Sequence, residues 1–531
     1  MKRVHLLLLL FTLALAAFYR FPGVTWGFRI QQGSYFQLHP DENESCYRAA
    51  MQGAKWLHDP RNYLEPGMQT NCCFLGSLVR RFTGRRLERG EAVLVGRLSS
   101  VVAGLASIVA IYGVGSQLAG PPGGLLAAFF VTTCGLHLAE SFWARGQIQN
   151  VLLFFTSVFF AQRSRDGRAG AWLAAAGAAA GGAIAMRLSL SLLPMLLLAA
   201  ISRPRWLRNA LCAAAGTLAG FALVSGFSWG PAEFLRYLTK QGSTLNLARM
   251  PASVAQQALA IAVFTLTGSG LAVFLSGAAG LAGLASRGRQ RWSEARAVPP
   301  GRRIVDLLGT KWALLLVPGA VQLSLIATTR LLEPRYVDLL VPILALLAAD
   351  FWARRLGRRA ALPLLVAALA YQGVYAAGVL QRYTHDCRAR YAREFPGLVP
   401  PDAAFALTGY VPDVGRRKGS VVPVKDAEVL VASDIQTLRY LRHPTGTLFS
   451  AAPGSCSEIF NCEGEWHREF YQRLSAGSDS GFRPVRVFEA PAWTPEVRFF
   501  RLLYGSSWLF TGDVRVYRRQ QNPGAAGTID S

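Results

Sequence analysis

The residues best equipped for chemistry fall in two short strings. Leu38-His39-Pro40-Asp41-Glu42-Asn43-Glu44 follows an apolar run at the amino terminus, and Leu332-Glu333-Pro334-Arg335-Tyr336 opens another apolar run late in the chain. A carboxylate such as Asp41 or Glu42 can act as general base on a hydroxyl nucleophile. A phosphate-ester leaving group departs already charged, so it needs cationic stabilisation, from Arg or a metal, rather than an acid. Each string also has a plainer reading. Pro40 suits a first helical turn, and acids there stabilise the helix through its exposed amides and dipole. Arg and Tyr are residue types that anchor helix ends at a membrane surface.

The elements that must hold these strings are set by composition. Of 531 residues, 52% are hydrophobic and 16% charged, where soluble chains carry about 25% charged residues. Mean hydropathy is +0.26. That excludes a cytosolic enzyme, a disordered chain and a secreted disulfide scaffold, and it identifies an integral membrane protein. The net charge of +25 sits largely in short clusters between apolar segments, with no basic stretch that interleaves aromatics, so nucleic acid is not expected as a partner. A span needs about 20 mostly apolar residues. Runs at 4–19, 92–116, 121–140, 148–162, 169–186, 188–202, 210–230, 256–285, 311–329, 336–352 and 360–381 predict about 11 transmembrane helices. Gly-rich runs such as 177–182 lack the strand and Lys of a nucleotide loop and predict close helix packing instead.

Positive clusters stay preferentially cytoplasmic. With the amino terminus inside, Lys2/Arg3, Arg163/Arg165/Arg168, Arg203/Arg205/Arg208, the Arg residues of 287–303 and Arg354/Arg355/Arg358/Arg359 all share that side. Arg80, Arg81, Arg85, Arg86 and Arg89 fall outside, in a connection long enough for the rule to weaken. The first segment also fits a cleavable signal peptide; a retained helix is expected. Two polar regions then share the outer face: a first loop, 20–91, and a tail, 382–531. In the tail, runs at 429–432, 485–488 and 513–517 read as strands and 467–474 as a helix, predicting a small C-terminal α/β extracytoplasmic domain. Six of the eight cysteines lie in these outer regions, and Cys456 with Cys462 is the easiest pair to join.

His-Pro-Asp-Glu after the first span and Glu-Pro-Arg-Tyr opening a late one resemble the GT-C class of membrane glycosyltransferases. Gly96-Arg97-Leu98-Ser99-Ser100 leads a span between them, and Gly135-Leu136-His137-Leu138-Ala139-Glu140-Ser141 links two more. The likeness is to glycosyltransferase family 39, which contains protein O-mannosyltransferases and lipid A aminoarabinose transferases. It covers residues 1–381 as a GT-C-like transmembrane domain, and the tail more loosely. The resemblance implies inverting transfer of a sugar from a polyprenyl-phosphate-linked donor to a lipid, protein or polysaccharide acceptor on the outer face. It implies that Asp41 activates the acceptor hydroxyl, that Glu42 is a supporting base or ligand, that Arg335 lies near the carrier phosphate, that Tyr336 lines the same mouth, and that His39 and Pro40 shape the turn.

The chain also departs from the family pattern. Ser141-Phe142-Trp143-Ala144 is followed by Arg145-Gly146-Gln147, with Gln147 where an acid would be looked for and Glu140 as its candidate substitute for substrate binding. With so few carboxylates, no cofactor is firmly implied and no metal ligands are assigned; a divalent cation stays an open alternative. A non-catalytic scaffold of the same fold and a transporter or flippase of an amphipathic solute are the competing classes. The Arg- and Ala-rich composition suggests a bacterial inner membrane, with the first loop and tail in the periplasm.

Overall fold

The structure is a computed structural model that describes residues 2–28, 42, 46–52, 66–166, 168–226, 232, 239, 253–294, 310–328, 333–400, 403–413, 422, 424–435, 437, 465–477 and 480–520. Asp41, His39, Pro40, Cys456 and Cys462 lie outside these residues. Helix α1 (Lys2–Val24) is followed by two helices of the first loop, α2 (Arg48–Gln52) and α3 (Pro66–Thr83). These two pack closely, with the sulfurs of Cys46 and Cys72 2.6 Å apart. Helix α4 (Arg89–Thr133) is two helices in one, broken at Ala119 and Gly120, where Gly120 has φ 74° ahead of Pro121 and Pro122. Pro lacks the amide that would continue the ladder, so the chain folds back into a hairpin. A Cβ on Gly124 would lie 2.1 Å from Ser116 Oγ, so glycine is needed there.

Next come α5 (Gly135–Glu140), α6 (Gln147–Arg163), α7 (Ala169–Arg187), α8 (Leu192–Ile201) and α9 (Trp206–Val224). Helices α7 and α9 lie backbone to backbone. A Cβ on Gly177 would meet Ala213 O at 2.1 Å, one on Gly181 would meet Thr217 O at 2.0 Å, and one on Gly220 would meet Ala178 O at 2.0 Å. The glycine run therefore works as small-residue helix packing, as its composition suggests.

The run 256–285, read as one span, is instead two helices, α10 (Val254–Ser269) and α11 (Leu271–Glu294). They are broken at Gly270, with φ 83°. The freed carbonyls are satisfied from elsewhere: Gln372 Nε2 donates to Ser269 O at 2.8 Å, and the Tyr375 hydroxyl donates to Thr267 O. Such compensation is what a break inside an apolar bundle requires. The chain continues through α12 (Lys311–Thr328), a 3-10 turn (Pro334–Val337), α13 (Leu340–Ala353), α14 (Ala361–Thr384) and α15 (Cys387–Leu398). Among the described residues, seven helices are long and apolar enough to cross a membrane, and three shorter apolar ones accompany them.

The remaining elements are β1 (Phe405–Leu407), β2 (Val429–Ser433), α16 (Glu465–Ala476), β3 (Phe482–Phe488), α17 (Pro495–Tyr504) and β4 (Val514–Arg519). The sheet order is β1-β2-β4-β3, parallel only between β1 and β2. Alternation along β2 explains the layering. Val429 and Val431 face Tyr391 and Phe395 of α15, and Leu430 and Ala432 face Phe470, Tyr471 and Leu474 of α16. Buried polar groups tie this layer to the helices. Trp26 Nε1 donates to Asp386 at 2.8 Å, Arg382 Nε to Thr511 Oγ1 at 2.9 Å, and the Tyr371 hydroxyl to Glu496 at 2.8 Å.

Candidate active site

Glu42 is wholly buried. Arg97, near the start of α4, grips it with Nε to Oε1 and Nη2 to Oε2, both at 2.8 Å. The backbone amide of Ala144 adds a third bond to Oε1 at 2.9 Å. The Nη1 of Arg97 donates to Val24 O at 3.0 Å and to Trp26 O. A buried carboxylate needs this degree of pairing to stay charged. Glu42 thus joins the first loop to the end of α1, the start of α4 and the loop after α5.

Glu140 closes α5 and is buried, yet neither carboxylate oxygen meets a hydrogen-bond donor among the described residues. The charges of Asp338, Arg187, Arg145 and Arg335 all act on it. Asp338 lies just after the 3-10 turn. Its Oδ1 accepts from the Leu339 amide at 2.8 Å, and Oδ2 has no donor among the described residues. The charge of Arg187 acts on it as well. Two carboxyls and three guanidinium groups therefore share one field, contributed by α5, the loop to α6, the end of α7 and the turn before α13.

Arg335 pairs with Glu333 at 2.7 Å. The ring of Tyr336 lies near two guanidinium groups, 5.6 Å from Arg187 and 5.8 Å from Arg335. The end of α7 thus meets the Glu-Pro-Arg-Tyr turn. Gln147 opens α6 fully buried, and neither its amide oxygen nor its nitrogen has a partner among the described residues. Ser191 Oγ is in the same condition. Buried polar groups are normally hydrogen-bonded, so unpartnered ones mark strain or a place for a polar ligand.

Arg20 of α1, fully buried, steadies α5 from behind. Its Nη2 donates to His137 Nδ1 at 2.7 Å and its Nε to Ser141 Oγ at 3.2 Å. With Nδ1 accepting, His137 Nε2 carries the proton and donates to Ser107 Oγ at 2.8 Å. Sequence reasoning assigned no role to Arg20, Arg97, Arg145 or Asp338. The one available signal was Asp338 two residues after Tyr336; the others gain meaning only from the helices they meet. The described residues alone do not make a divalent-cation site, since no three His, Cys, Asp or Glu side chains converge, and three arginines stand beside the two acids.

The solved structures with similar architecture include the oligosaccharyltransferase of Archaeoglobus fulgidus in complex with Zn and sulfate. It is 12% identical, covering 82% of this chain and 68% of that one, with a TM-score of 0.49. ArnT from Cupriavidus metallidurans bound to undecaprenyl phosphate is 14% identical, covering 80% and 86%, with a TM-score of 0.46. No curated protein matches the chain. The family profile described as dolichyl-phosphate-mannose-protein mannosyltransferase matches residues 88–229, a stretch that holds Arg97, Glu140, Arg145, Gln147 and Arg187 but neither Glu42 nor Arg335. Over residues 88–229 the chain is thus similar to that family of membrane mannosyltransferases.

Proposed function

We propose that the protein is an inverting glycosyltransferase that moves a sugar from a polyprenyl-phosphate carrier to an acceptor hydroxyl. In this reading Asp41 takes the proton from the hydroxyl while its oxygen attacks the anomeric carbon. The bond from that carbon to the carrier phosphate oxygen breaks, and the phosphate leaves as an anion. Arg335 and Arg187 stabilise it. Glu42, held by Arg97 and the Ala144 amide, is a supporting base or ligand beside Asp41. Glu140 and Gln147 bind hydroxyls of the donor sugar or acceptor. The first loop and the α/β tail face the periplasm of a bacterial inner membrane, with 11 or so spans beneath them.

The observation that carries this reading is the charge of Arg145, Arg187 and Arg335 acting on buried Glu140, and of Arg187 on Asp338, beside side chains whose polar atoms lack partners among the described residues. Three guanidinium groups around a buried pocket favour an anionic ligand, and the carboxylate and amide without donors or acceptors among the described residues favour hydroxyls beside it.

The test is release of free carrier phosphate by purified protein in lipid, from a panel of radiolabelled polyprenyl-phosphate sugars, with and without chelator. Release that Asp41→Asn abolishes supports the reading and identifies the donor. Undiminished release by Asp41→Asn would remove Asp41 from the mechanism, and no release from any donor would favour a non-catalytic scaffold.

A further inference from the structure

The turn at 508–511 is built against the conformational preference of its own residues. Trp508 and Thr511 exchange backbone hydrogen bonds at 2.8 and 3.0 Å, closing a two-residue hairpin. Its central residues, Leu509 and Phe510, have φ of 47° and 61°. Such turns ordinarily use Asn-Gly or Asp-Gly, because bulky side chains are disfavoured in the left-handed region. Strain of this kind persists only where surrounding structure over-determines it.

Here three buried side chains do so, each gripping one carbonyl of the turn. The Tyr383 hydroxyl donates to Leu509 O at 3.0 Å, Arg388 Nη2 to Phe510 O at 2.8 Å, and Arg382 Nη2 to Thr511 O at 3.5 Å. Arg388 is itself held by Asp386, which also accepts from Trp26 Nε1. The Trp26 ring lies 5.6 Å from Arg388 and 5.6 Å from Arg97, the partner of Glu42. One buried chain of contacts thus runs from Glu42 to the turn.

The turn drives the Phe510 ring to 5.7 Å from the Arg335 guanidinium and edge-on to Trp143 at 5.4 Å. We infer that Phe510 is a positioning residue for Arg335: its ring face holds the guanidinium toward the site, so that Arg335 meets the phosphate of a polyprenyl-phosphate carrier. The inference rests on the proposed function for the identity of that phosphate. A ring face attracts a cation without itself taking up any of its N–H donors.

The test measures binding of a short-chain polyprenyl phosphate to the full-length protein in detergent, for wild type, Phe510→Leu and Phe510→Tyr. Leu keeps apolar bulk but offers no ring face; Tyr keeps the face. The expected result is affinity about tenfold weaker for Phe510→Leu, with Phe510→Tyr within about twofold of wild type. Melting temperature identifies a misfolded Phe510→Leu, and Phe510→Met, another flexible apolar substitute, then takes its place. Equal affinity for the folded ringless variant and wild type overturns the inference, as does failure of wild type to bind the phosphate. Sugar transfer, measured in parallel, reports separately on the proposed reaction: binding that depends on Phe510 without transfer sinks the reaction and leaves the positioning role intact.

Discussion

Glu42 and Arg97 form a two-pronged ion pair that is wholly out of contact with solvent, with both carboxylate oxygens 2.8 Å from guanidinium nitrogens. The pair anchors the acid string of the first loop to the helix bundle. Removing one partner leaves the other charge buried and alone, which destabilises by about 3–5 kcal/mol, whereas replacing both by apolar residues is far milder. Glu42→Leu is therefore expected to lower the melting temperature sharply and to abolish transfer. The double variant Glu42→Leu/Arg97→Met is expected to recover most of the melting temperature. A double variant no more stable than the single one would show that the pair contributes little beyond packing.

Gln147 leads to the opposite expectation for stability. Its amide is buried with no partner among the described residues, a condition that costs about 1–3 kcal/mol. Gln147→Leu, of similar size, is expected to raise the melting temperature while raising the KM for the sugar donor. A gain in stability with unchanged KM would take Gln147 out of the substrate site. A loss of stability would point to a partner that the amide depends on.

Most of the helices were legible because apolar runs of membrane length have few other uses, and the fold-back at 119–122 announces itself in Gly120-Pro121-Pro122. The break at Gly270 was not legible. Nothing local in 256–285 distinguishes a continuous helix from two, and the groups that satisfy the freed carbonyls, Gln372 and Tyr375, come from about a hundred residues away. The candidate site divides in the same way. Glu42, Arg335 and Tyr336 stand out as polar residues beside spans, and Glu140 and Gln147 by comparison with a family pattern. Arg187 meets the site where α7 ends against Tyr336, and Arg97 joins it because its helix starts beside Glu42. Tertiary meeting of this kind leaves no periodicity in the chain.

The close contact of α7 with α9 makes a prediction about stability alone. A methyl group on Gly181 would sit 2.0 Å from Thr217 O and 2.6 Å from Phe221 N, both backbone atoms that cannot swing aside. Gly357, in a connection between helices, has nothing within 4 Å of the same position. Overpacking costs about 1–3 kcal/mol or more, so Gly181→Ala is expected to lower the melting temperature by several degrees and Gly357→Ala to leave it unchanged. Equal melting temperatures for the two variants would mean that the helices separate at little cost.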